Sequence, residues 1–301
     1  MLNKMIHKTE CLLEYFPAGK RLVKKRRLRQ RFRTELALIK GTHKNSNEHP
    51  SIIHFSFNKA ATQHVKSVLT RCAVENGMVP VAIHDYAFDT HFPMLHFLNA
   101  EEMKRYQHIF KTQGYLYSAF GGGMVEGIAD LNLYKIVFVA RDPRDILVSG
   151  YYSVAYSHPV PDKMGSKHER FMKRRALARE STVDEWVLFR SNNLHDHYMR
   201  YQKLLLEKYP NTYRTSYEYM VSDYSGWLRS LLDYCELNVS SELFESLLKE
   251  NARMKPREEN IHQHVRKGQP GDYRDKLKPE TINYLNEKFA SILVMFGYDQ
   301  R

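Results

Sequence analysis

Apolar positions along this chain fall into short β-branched runs that alternate with longer stretches of helical period. The densest run, Ile136-Val137-Phe138-Val139-Ala140, holds no polar residue, which suits a strand covered on both faces of a parallel sheet. It stops at Arg141-Asp142-Pro143. Proline is at home in the first turn of a helix, and Ile146, Leu147, Gly150 and Tyr151 then recur at helical spacing. Residues 51–57, 78–83, 115–120 and 212–217 read as further strands. Val65, Val68, Leu69 and Cys72 mark a helix after the first of these, and shorter helices are expected near 101–110 and 125–131. Thr182-Val183-Asp184-Glu185 is a capping box that opens a helix running to about residue 208. Tyr224, Trp227, Leu228, Leu231 and Leu232 line one helical face, and Leu285, Phe289, Ile292, Leu293 and Phe296 a second; both stripes read as core. Residues 157–180 are polar and basic and are expected to form a mobile surface segment. The pattern predicts a single α/β domain with a central, mostly parallel sheet flanked by helices.

Composition changes this picture at the N-terminus. A chain of 301 residues buries a sizeable core, and one domain with a tail fits better than two. The polar stretch 41–50 reads as a linker, which gives a basic extension and linker over 1–48 and the domain over 49–301. Of the net charge of +12, residues 20–33 supply nine Lys or Arg and no acid, leaving +3 for the remainder. That segment offers a contact for an anionic surface such as acidic lipid or polymer. The plainer reading, slightly favoured, is a solvated basic helix whose Leu22, Leu28, Phe32 and Leu36 lean on the domain. The modest remaining charge argues against specific nucleic-acid binding. Cys11, Cys72 and Cys235 are odd in number and far apart, which points to a reducing compartment. No apolar run approaches the roughly 20 residues of a membrane span. The start carries Glu10 and Glu14 without the apolar core of a signal peptide. The expectation is a cytoplasmic protein, with membrane-peripheral contact open to it.

Candidate chemistry gathers at the strand ends. Lys59-Ala60-Ala61-Thr62-Gln63-His64 is a small-residue loop between a strand and a helix. Such a loop cradles an anion through backbone N–H groups and the helix dipole, with the lysine as a mobile charge. Arg141 ends the central strand and Ser149 lies eight residues on, about two helical turns. Both can converge on one anion, the guanidinium as a fork. The bland alternative is an Arg141–Asp145 salt bridge with Ser149 as filler. His264 to Tyr273 holds Arg266-Lys267-Gly268, a basic turn able to fold over a phosphate.

Together these residues resemble the sulfotransferase family. Arg141-Asp142-Pro143-Arg144-Asp145 with Ser149 is similar to that family's 3′-phosphate frame. Lys59 and Thr62 match its 5′-phosphosulfate loop, where Ala61 replaces a glycine, Gln63 a hydroxyl residue and His64 an adenine-stacking aromatic. Arg266-Lys267-Gly268 matches its closing loop, and Tyr217-Glu218 its Tyr-Glu pair, with Tyr217 near adenine. The resemblance covers roughly residues 50–300 and implies a P-loop-like nucleotide-binding topology. It implies 3′-phosphoadenosine 5′-phosphosulfate as donor, adenosine 3′,5′-bisphosphate as product and no metal. Lys59 would serve the bridging oxygen; Ala60, Ala61, Thr62, Gln63 and His64 would line the 5′ side, and Arg141, Ser149, Arg266, Lys267 and Gly268 the 3′-phosphate. Many members carry a basic histidine on the strand before the central one, a place that here falls near Ser118-Ala119-Phe120. Others carry the base at the end of the second strand, where this chain has His84-Asp85. His84 is therefore the expected base, with Asp85 orienting it or taking the role. An interior histidine bonded to backbone is the competing reading. The acceptor, a small molecule, a lipid or a glycan with a hydroxyl or amine, would lie against residues 84–120 and 151–200. Two rivals remain, a nucleoside-phosphate kinase-like P-loop enzyme and a non-catalytic basic module for acidic polymer or lipid. The Walker glycines that the kinase needs are missing.

Overall fold

A computed structural model describes residues 17–160, 166–254, 260–261 and 268–298. Helices α1 (Pro17–Arg31) and α2 (Arg33–Ile39) lead into β1 (Ile52–Ser56) and α3 (Thr62–Glu75). Then come β2 (Val79–Val81), α4 (Ile83–Asp89), β3 (Tyr115–Gly121), β4 (Lys135–Ala140) and α5 (Pro143–Tyr152). Helices α6 (Ser166–Glu180) and α7 (Val183–Tyr201), strand β5 (Tyr213–Ser216), and helices α8 (Tyr217–Ser222) and α9 (Tyr224–Cys235) follow. Helices α10 (Ser241–Met254), α11 (Pro279–Lys288) and α12 (Ala290–Phe296) come last, and one-turn helices lie at Ala100–Met103 and Tyr273–Lys276. The five strands pair in parallel in the order β2-β3-β1-β4-β5. This is the expected parallel sheet between helices.

Strand β1 is the centre. All five of its residues are buried, and it stays in register with β4 from Ile52↔Lys135 to Ser56↔Val139. Ser56 also faces Gly121 across β3, and Ala140 faces Ser216 across β5. The loops after four strands therefore open on one edge, where open α/β sheets bind ligands. The stripe Trp227, Leu228, Leu231 and Leu232 seals one layer, and Leu285, Phe289, Ile292 and Leu293 another. Each such side chain contributes about 1.5–3 kcal/mol by leaving water.

Three expectations fail, each for a physical reason. The helix expected at 125–131 is only a short turn over Leu131–Leu133, because Gly127 (φ +74°) and Asp130 (φ +50°) are left-handed and interrupt a helix. His84 and Asp85 do not end a strand. Strand β2 stops at Val81, and both residues enter α4. The segment 157–180, expected to be mobile, holds α6, a mostly polar helix with Ala178 in the core, while residues 161–165 lie outside the described residues. It is fastened by Arg175 Nε donating to the Val154 carbonyl (2.9 Å) and Arg179 Nε to that of Ala155 (2.9 Å). These are the carbonyls of the widened turn that ends α5. A helix held by guanidinium–carbonyl bonds leaves no hydrophobic stripe to read.

Helices α1 and α2 precede the expected boundary at 48/49. Phe32 and Leu38 are buried while Leu22 stays exposed. The Phe32 ring meets Tyr86 edge-on at 5.4 Å, Arg31 pairs with Asp89 at 2.7 Å, and Glu35 accepts the Ala82 N–H at 2.6 Å. Their partners Tyr86, Asp89 and Ala82 all belong to α4 or its cap. Phe32→Ala should lower the unfolding free energy by about 3 kcal/mol in urea denaturation. A loss below about 0.5 kcal/mol, the range of neutral surface changes, would mean that α2 is not docked in solution.

Candidate active site

The loop after β1 is shaped by its own backbone. Thr62 Oγ1 donates to the Phe57 carbonyl (2.9 Å) and meets Ser56 Oγ at 3.0 Å, closing residues 57–62 on themselves. Lys59 (φ +74°) and Ala61 (φ +57°) are both left-handed. The loop thus takes at Ala61 the conformation that the replaced glycine would adopt freely, at about 1–2 kcal/mol for a residue with Cβ. The first-turn N–H groups of α3 have no intrahelical acceptors and so remain for an anion. Gln63 is exposed. His64 packs away from the loop, with Nε2 3.1 Å from the Tyr224 hydroxyl.

Strand β3 reaches the same edge. A Cβ on Gly122 (φ +105°) would come within 3.0 Å of Asn58 Nδ2, and one on Gly123 within 3.0 Å of His96 Cδ2. Glycine at these positions lets the strand end pass closely between the loop and His96, and at Gly122 it also suits the positive φ.

Arg141 gathers the parts. Its Nη1 donates to the Lys59 carbonyl (2.7 Å), its guanidinium carbon stands 4.1 Å from the Tyr217 ring centre, and Nη2 lies 3.7 Å from Asp145 Oδ2. The Tyr198 hydroxyl donates to its carbonyl. Arg141 Nε is buried without a hydrogen-bond partner, an orphan that an anion would satisfy. The sequence set a ligand role for Arg141 against an Arg141–Asp145 salt bridge; the geometry contains the ion pair and leaves Nε open to a ligand. Ser149 follows Asp145 by one turn on the same face of α5.

The C-terminal loop returns to this point. Gly268 (φ +66°) and Gly271 (φ +83°) bend it, while Arg266 and Lys267 lie outside the described residues. Gly271 N–H donates to Asp145 Oδ2 (2.7 Å) and Tyr273 N–H to Asp145 Oδ1 (3.1 Å). Arg144, wholly buried, is held by Asp142 at 2.6 Å, reaches Asn286 Oδ1 at 2.6 Å and stacks 4.1 Å from the Tyr273 ring. Glu218 accepts the Asp142 N–H at 2.9 Å. Sequence reasoning placed Arg144, Asp145 and Glu218 in the matched motifs but gave them no contact beyond an Asp145 pairing with Arg141. Their spacing was visible, but the far side of each contact is more than 70 residues away.

The base candidates separate clearly. Asp85 is ion-paired with Lys66 at 2.5 Å and lies 3.8 Å from Arg31. His84 is half-buried and bonds to the Ala119 backbone. Burial lowers its pKa from the ordinary 6.5, while the Asp85 charge and the Ala119 bond pull it back up. Its Nε2 is buried without a hydrogen-bond partner, and its ring meets His96 at 5.6 Å. The strand segment 118–120 offers no base of its own, and α4 brings an imidazole to it. His54 is fully buried, bonds Ser118 Oγ at 2.9 Å, and is pushed by burial to about 3.

The sulfotransferase domain family matches residues 125–296, more than half of the chain, and the chain belongs to that family. Mouse sulfotransferase 2A6 is 22% identical over 180 residues, 54% of this chain and 57% of that protein. The match thus spans little more than half the length of this relative. The crystal structure of mouse sulfotransferase SULT7A1 complexed with PAP superposes with a TM-score of 0.52 at 14% identity, covering 85% of this chain and 89% of the other. That likeness shows a shared fold.

Ala61→Gly should stabilise the protein by about 1 kcal/mol, since glycine removes the left-handed penalty at some cost in unfolded-state entropy. A lowered Tm would show that the loop relaxes to a negative φ in solution.

Proposed function

We propose that this protein moves a sulfuryl group from 3′-phosphoadenosine 5′-phosphosulfate to an acceptor hydroxyl or amine, in line, with a general base and no metal. The observation that carries the reading is Arg141, which joins the strand-end loop, the Tyr217 ring and, through Asp145, the C-terminal loop. The donor supplies the activated sulfuryl group and adenosine 3′,5′-bisphosphate as leaving group, the PAP of the mouse complex. Its 5′ side fits the residues 59–64, with the α3 amides and Thr62 around the 5′-phosphate and Lys59 neutralising charge on the bridging oxygen. Its 3′-phosphate fits Arg141 and Ser149, with Arg266, Lys267 and Gly268 closing over it. Tyr217 stacks on Arg141 and borders the adenine.

His84 removes the acceptor proton. Lys66 occupies Asp85, so Asp85 acts on His84 through its charge. The acceptor, a small-molecule, lipid or glycan alcohol, enters beside α4, β3 and α7. Residues 20–33 give a contact to an anionic surface. A cytoplasmic location accords with the buried free thiols Cys72 and Cys235; among the described residues no helix is long and apolar enough to cross a membrane. The family match disfavours the kinase-like and non-catalytic readings.

Adenosine 3′,5′-bisphosphate without metal should raise Tm more than ATP with magnesium does. Arg141→Ala should weaken bisphosphate binding by roughly 2–4 kcal/mol and Arg141→Lys should recover only part, because an ammonium lacks the fork. Unchanged affinity in both folded variants would remove the central claim.

His84→Ala should lower kcat by roughly 10²–10⁴ with bisphosphate affinity intact. Because burial lowers the His84 pKa, the acid limb of kcat should fall below pH 6.5, and Asp85→Asn should move it lower still. If instead His84→Ala keeps its rate and Asp85→Asn loses it, Asp85 is the base.

A further inference from the structure

We infer that Asp145 is the positioning residue for 3′-phosphate selectivity: its carboxylate locks the C-terminal loop to α5 and aims Arg141. The inference rests on the sulfotransferase reading and gives Asp145, there only the link between Arg141 and the C-terminal loop, a part in ligand selectivity.

The Asp145 side chain has no exposed surface. A carboxylate so placed is costly unless its oxygens are satisfied. Both are: Oδ2 by the Gly271 N–H at 2.7 Å and Oδ1 by the Tyr273 N–H at 3.1 Å. These two donors belong to the loop that begins at Gly268, and the third neighbour, Arg141, belongs to the end of β4. One carboxylate thus sets the distance between the two elements assigned to the 3′-phosphate.

The contact with Arg141 has a telling length. At 3.7 Å, Nη2 is beyond hydrogen-bond range of Oδ2 yet well within Coulomb range. Asp145 therefore orients the guanidinium without consuming its donors, and Nε lies buried and unpartnered beside it. A direct bidentate salt bridge would have closed the fork to any ligand.

A separate fastening holds the loop. Arg144, gripped by Asp142, stacks on Tyr273 and reaches Asn286. Removing the Asp145 charge leaves this second anchor in place, so Asp145→Asn should fold while losing register between loop and Arg141.

The experiment measures the full chain and its Asp145→Asn variant by calorimetry with adenosine 3′,5′-bisphosphate and with adenosine 5′-monophosphate, which lacks only the 3′-phosphate. The wild type should prefer the bisphosphate strongly. The variant should lose about tenfold or more in bisphosphate affinity and less than about twofold for the monophosphate. Equal losses for both nucleotides, or an unchanged preference, overturn the positioning role. A wild type without preference sinks the sulfotransferase reading itself. Should the variant fail to fold, amide exchange on the wild type decides: protection of Gly271 and Tyr273 should rise with bisphosphate and not with monophosphate, and an equal rise overturns the inference.

Discussion

The in-register parallel pairing of β1 with β4 is the constraint on which the rest hangs. Both faces of β1 are buried, and both its edges carry hydrogen-bonded neighbours, so its end cannot shift by a residue without repacking both layers and re-pairing both ladders. That pairing sets Ser56 beside Val139 and thereby brings the loop at Lys59 under the guanidinium of Arg141. Residues 82 apart in sequence become one surface because two backbones share a ladder. The proposed chemistry would follow from that placement, since transfer between fixed anionic groups depends chiefly on position and charge.

The site carries local strain at its loop and dense satisfaction behind it. Lys59 and Ala61 take left-handed backbone that neither residue prefers, and strain of this kind persists only where the surroundings over-determine it. Here the surroundings are the Thr62 hydroxyl bonded to Phe57 and the Arg141 bond to the Lys59 carbonyl. Behind them, Asp142 grips Arg144, Glu218 accepts the Asp142 N–H, and Asp145 accepts the N–H groups of Gly271 and Tyr273. A rigid polar backing lets a few donors at the front stay open.

Most of the sheet was legible because buried parallel strands write their burial directly as β-branched runs, as in residues 136–140. The amphipathic stripes at 224–232 and 285–296 were equally plain. What escaped depended on tertiary partners. Helix α6 is anchored through Arg175 and Arg179 to carbonyls of another segment, a device with no periodic signature. The turn of His84 into α4 is capped by Glu35 from far upstream, and nothing local announced it. Arg141 stood out because it ends a strand. The partners of Asp145 could not be read, because a backbone N–H carries no letter in the sequence.

The two tryptophans of the chain pack on different elements of this arrangement. Trp227 stacks at 5.3 Å on Tyr224, whose hydroxyl meets His64 in the first turn of α3. Trp186 lies edge-on to Tyr151 of α5 at 6.4 Å. One indole is therefore linked through Tyr224 to the helix that follows the Lys59 loop, and the other touches the helix that carries Asp145 and Ser149. The molecule contains its own pair of optical probes, with the emission of each indole tied by contact to a different element of the candidate site.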